Sequence, residues 1–115
     1  MTVYNNTAIF KGNLGKPAEI KETTAGTVAK FSIAVYRNGK GSEAVTDWIN
    51  CVAWHDLARG IAEFDKGARL IVIGSVVNRS YEAKDGTTKY VTEVQAREIG
   101  IDVAIAKDNN ESDPF

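Results

Sequence analysis

In the run "TDWINCVAWH" two tryptophans stand six residues apart, and an even spacing along an extended strand puts Trp48 and Trp54 on one face with Asn50 and Val52. The opposite face carries Ile49, Cys51 and Ala53, small and apolar, as a barrel interior requires. By the same parity Tyr36 lies with Lys30 and Ser32, beside Arg37, and Tyr81 lies with Arg69 and Arg79. Exposed rings interleaved with cations are what a single-stranded nucleic acid needs. Each base stacked on an aromatic ring contributes about 1–3 kcal/mol. Lysine and arginine follow the phosphates and release counterions, which makes affinity fall as salt rises. Neither contact reads a base edge, so the expected result is sequence-tolerant binding.

A strand tryptophan is more often core or interface filler, and the weight here comes from four rings on polar or cation-bearing faces. Phe10, Phe31 and Phe64 are expected in the core, and Tyr90 is open to either reading. Catalysis finds no comparable constellation. The lone His55 ends a strand beside Asp56, and Cys51 points inward with no base near it in sequence. No metal-ligand cluster, phosphate-binding loop or GxSxG elbow occurs, so neither an enzyme nor a metal or other cofactor is expected.

These residues must be held by strands. Short period-two alternation runs through "TAIFKGNLG", "TVAKFSIAVYR", "VTDWINCVAWH", "ARLIVIGSVVNRSY" and "TTKYVTEVQAREIGI", broken by Gly, Asp and Asn. "AEIKET" continues the first strand after a Gly-Lys-Pro turn, and "KDG" turns between the last two. One segment changes period: in "DLARGIAEFDKG", Leu57, Ile61 and Phe64 make a helical stripe, with Asp56 as expected N-cap and Gly67 as stop. Five strands with one short helix between the third and fourth is the order of the OB-fold, an all-β Greek-key barrel. The doubly apolar "LIVIGSVV" suits a buried strand or one that meets another subunit.

A chain of 115 residues forms one domain and buries a core without metals or disulfides. It carries one cysteine and shows neither a long apolar run nor a basic-then-apolar leader, which points to a reducing, cytoplasmic setting without membrane contact. The net charge of −1 is unevenly spread. Residues 1–103, the expected OB-fold domain, hold 13 Lys and Arg against 12 Asp and Glu. Residues 104–115 hold Lys107 against Asp108, Glu111 and Asp113, an acidic tail.

The blocks "FKGNLGKPAEI", "VAKFSIAV", "TDWINCVAW", "LARGIAEFDKGARLIVIGSV" and "YEAKDGTTKYVTEVQAREI" resemble, in order and spacing, the bacterial single-stranded DNA-binding protein family. The resemblance covers roughly residues 4–103, and the final "DPF" is similar to that family's acidic tip. It implies bases stacked on Trp48, Trp54 and Tyr81, backbone contacts from Lys66 and Arg79, and a homotetramer. It also implies that Asp113, Pro114 and Phe115 dock replication, recombination and repair proteins: an apolar ring and an anion suit a pocket with a cationic rim, and proline lowers the entropy lost. Three departures stand out. Gly39 sits in the loop after the second strand, where the family often has a further tryptophan, so Tyr36 is its expected substitute. Asn50, Asp56 and Val77 occupy positions often basic in the family, and only "AKDNNES" separates barrel from tip. Two competing readings remain: an OB-fold adaptor of the primosome type, working through protein contacts with its rings buried in an interface, and an RNA binder.

Overall fold

The computed structural model describes residues 4–103. Six strands and a single α-helix are found there: β1 (Ala8–Leu14), β2 (Glu19–Thr23), β3 (Gly26–Asn38), β4 (Ala44–Trp54), α1 (His55–Ile61), β5 (Arg69–Glu82) and β6 (Thr88–Ile101). β1 and β2 both pair with β3 and together take the place of the first expected strand. The sheet order is β1-β5-β6-β4-β3-β2, and a further β1–β3 pairing closes it into a five-stranded barrel. This is the OB-fold, as the element order predicts.

Alternation sorts the side chains. Leu14, Phe31, Ile33, Cys51, Ala53, Leu70, Val72 and Val94 fill the interior, with Ala58 and Ile61 of α1 plugging it. Phe31 is buried, and Phe10 and Phe64 pack partly buried against the same cluster, as expected of them. Along β5 the even positions Leu70, Val72 and Gly74 are buried and the odd positions Ile71 and Ile73 only half-buried. The doubly apolar run thus has one covered face and one apolar outer face, shared with Ile9 opposite Ile73.

Two glycines permit the curvature. A Cβ on Gly12 would collide with the Ala34 carbonyl where β1 crosses β3, and one on Gly74 would collide with the Gln95 carbonyl. Gly74 adjoins a register shift: Ile73 pairs with Glu98 but Gly74 with Ala96, so Arg97 is the extra residue of a bulge in β6. Arg97 uses that freedom to bond Thr7 Oγ1 at 2.7 Å, with its guanidinium 3.9 Å from the Tyr4 ring centroid. Asn6 extends the β1 edge by exchanging two hydrogen bonds with the Val76 backbone, at 2.6 and 3.0 Å.

The helix departs from expectation. It ends at Ile61, well before Gly67, and its N-cap residue is Trp54, without a side-chain cap. Asp56 instead lies in the first turn and pairs with Arg59. The strand-to-helix junction is made by His55 at φ 57, a left-handed backbone that lets β4 run directly into α1. Gly67, at φ 94, forms the later turn into β5, where its N–H donates to the Leu14 carbonyl at 2.7 Å.

Close approach predicts opposite signs at two glycines. Gly12→Ala should lower stability by about 1–3 kcal/mol through overpacking against β3. Gly60→Ala, in α1 with nothing within 4 Å of the added Cβ, should raise it by roughly 0.5–1 kcal/mol. Urea midpoints of the two variants check both directions.

Candidate nucleic-acid interface

The outer faces of β3, β4 and β5 carry the aromatic residues singled out above. Trp48 is 59% exposed, Trp54 36%, Tyr36 58% and Tyr81 51%. Parity therefore places all four rings on the outside, and Tyr90, at 81%, joins them. They do not form one continuous platform. Trp48, Tyr36 and Lys66 line one open cleft together with Gly15, whose absent Cβ would stand 2.6 Å from Trp48 Cζ3. The ring lies against bare backbone, and a side chain at 15 would have to displace it. Trp54 lines a second cleft with Lys21, Lys30, Val52, Arg79 and Gln95. Its other edge meets His55, with ring centroids 5.9 Å apart. Tyr81 sits on the β5–β6 arm, paired across the strands with Lys89.

The cations fall into two groups. Lys30 and Lys66 are exposed and make no ion pair among the described residues. The three arginines are engaged. Arg37 Nε donates to Asp47 at 2.7 Å, on the opposite face of β3 from Tyr36. Arg69 bonds Asp102 at 3.2 Å and Asn13 at 3.1 Å, at the far end of β5 from Tyr81. Arg79 Nε donates to Glu93 Oε1 at 2.8 Å, and that hydrogen bond, with the attraction of the carboxylate, raises the guanidinium further above its usual range.

Two features escaped the sequence reading. Val52 shares the face of the tryptophans yet is only 6% exposed, because it forms a cleft floor rather than a rim. Glu93 is the larger omission: 7% exposed, it borders three adjoining clefts, one reaching Trp48 and another Trp54. Its sequence signal was slight, one of two acids in the strand "TKYVTEVQAREIGI", the one on the parity of Val91 and Gln95. Near it, Ser32 donates to Asn50 Oδ1 at 3.0 Å, which leaves the amide N–H groups of Asn50 to face the cleft.

This chemistry suits stacking and polar contact. No cluster of His, Cys, Asp and Glu able to hold a metal ion occurs among the described residues. No helix there is long and apolar enough to cross a membrane. The run Asp113, Pro114 and Phe115, with the rest of 104–115, lies outside the described residues.

The chain matches the single-strand binding protein family over residues 5–102. It belongs to that family. A protein of Listeria innocua named single-stranded DNA-binding protein 3 is 40% identical over 99 residues, which are 82% of this chain and 61% of that protein. The single-stranded DNA-binding protein of Thermus thermophilus is 38% identical over 92 residues, 79% of this chain but 35% of its own length. A single-stranded DNA-binding protein 3 of Streptococcus agalactiae is 40% identical over 95 residues, 79% of this chain and 69% of that protein. The chain thus spans under two thirds of the first two relatives.

Cys51 provides a check on the barrel interior beneath this face. Burial, and secondarily the charge of Glu93, push its thiol up to about 12. At pH 8 the thiolate fraction is then on the order of 10⁻⁴, and the side chain is enclosed as well. A chromogenic disulfide reagent at pH 8 should leave native Cys51 unmodified over hours and label it within minutes in denaturant. Fast labelling of the folded chain would contradict the closed barrel.

Proposed function

We propose that this chain binds single-stranded DNA without sequence specificity, bases stacking on Trp48, Trp54, Tyr36 and Tyr81 while Lys30 and Lys66 follow the phosphates. The observation that carries the reading is the pairing of an exposed ring with a lysine that makes no ion pair among the described residues, in each of two clefts, Trp48 with Lys66 and Trp54 with Lys30. Arg37, Arg69 and Arg79, already bound to carboxylates, are held back from individual phosphates. The relatives' names support the same ligand.

Protection of transient single strands in replication, recombination and repair belongs to the proposal, as does a cytoplasmic location. So does assembly into a homotetramer, which the apolar outer strip of Ile9, Ile71 and Ile73 supports. Asp113, Pro114 and Phe115 are proposed to dock partner proteins.

Since the chain holds two tryptophans, both in the clefts, emission reports the site directly. Oligo-dT should quench it strongly, and affinity should weaken as salt rises. Trp54→Ala should cost about 1–3 kcal/mol of binding. Unchanged emission at micromolar protein would favour the adaptor reading, and equal quenching by oligo-rU would extend the ligand to RNA.

The tail gives a further test. Asp108, Glu111 and Asp113 compete with DNA for the same lysines, so deleting residues 108–115 should tighten oligo-dT binding at low salt, with the difference fading at high salt. Identical affinities at low salt would exclude that competition.

A further inference from the structure

Arg79 lines two of the clefts that Glu93 borders, and it is not available in the way a lysine is. Its Nε–H donates to Glu93 at 2.8 Å, and the two side chains are 42% and 7% exposed. The pair is therefore asymmetric: the acid is buried and the base half in water. β5 and β6 fix both ends, since Arg79 stands directly opposite Val91 and Glu93 lies diagonally across on the same face. Stripping a buried carboxylate of its partner leaves an uncompensated charge out of water. A phosphate at the rim, still hydrated, offers an arginine much less in return. The buried acid wins that competition.

Given the single-stranded DNA reading, on which this rests, we infer that Glu93 is a positioning residue that keeps Arg79 off the phosphates and holds its guanidinium as a fixed, charge-compensated plane beside the bases. Glu93 borders the clefts that reach Trp48 and Trp54, so this neutral unit lies between the two aromatic platforms. A bound strand crosses it with bases rather than backbone toward it. The exposed part of Arg79 can stack on a base while its charge stays matched.

The dependence of Kd on salt separates this from ordinary phosphate binding, because counterion release counts only cations that neutralise phosphates. The full chain is titrated with oligo-dT across a salt series. Lys66→Gln should weaken binding and flatten the slope of log K against log salt by about 0.7, one single-strand contact. Arg79→Gln should weaken binding several-fold with the slope unchanged. Glu93→Gln, nearly isosteric but without the charge that holds Arg79, should release the guanidinium and steepen the slope by about 0.7. A flattened slope in Arg79→Gln, or an unchanged one in Glu93→Gln, overturns the inference while leaving the functional reading intact. No binding by the unmodified chain sinks both. The Arg79 Nε–H resonance gives a readout that needs no variant to fold: it should stay slow to exchange on adding oligo-dT, and loss of that protection means the guanidinium has left Glu93 for the phosphates.

Discussion

The binding face depends on how briefly the barrel is sewn shut. β4 and β6 run parallel and pair at just two positions, Cys51 with Val94 and Val52 with Gln95. β1 meets β3 at two more, Asn13 with Ala34 and Leu14 with Ile33. Glycine at 12 and 74 lets backbones touch where any side chain would hold the strands apart. By contrast β3 and β4 pair along their whole length, as do β5 and β6 through one bulge. Beyond the short parallel seam β4 and β6 diverge, and the clefts floored by Val52 and Glu93 open in that gap. A fully zipped sheet would leave a flat face with rings on it and no groove.

Charge explains why aromatic rings dominate that face. The barrel portion has nearly balanced charge, and its arginines at 37, 69 and 79 are tied to carboxylates. What remains for a polyanion near the rings is mainly lysine, whose compact, hydrated charge makes weak individual contacts. Affinity on such a surface must come largely from stacking, at about 1–3 kcal/mol per base.

Much of this was legible in the sequence. Period-two alternation with one helical interruption gave the barrel, and parity put Trp48, Trp54, Tyr36 and Tyr81 outside, where they are found. Parity works because an unbulged strand has no freedom about which side a residue faces. It says nothing about depth. Val52 and Glu93 lie on the outer parity yet are buried, because neighbouring strands rise around them at the seam. Nor does it foresee partners: Arg69 and Arg79 share a parity but sit at opposite ends of a long strand, each with its own carboxylate. The helix end was misplaced for a different reason. Phe64 continues the apolar spacing and packs on the core, but from the loop after Ile61 rather than from a longer helix.

The spacing of the rings also sets what kind of ligand the face can hold. Six residues of strand separate Trp48 from Trp54, which at about 3.3 Å per residue is roughly 20 Å. No single base or dinucleotide reaches both. A ligand that uses the whole face must be a flexible polymer several units long, which agrees with the roughly 4–16 nucleotides that one OB-fold accommodates. The two platforms then act on different units of one strand, so each adds to affinity without needing the other's geometry. A duplex cannot exploit them, because its bases are already stacked and paired. On the proposed function, a preference for single strands follows from where two rings sit on one β-strand, with no contact to any base edge.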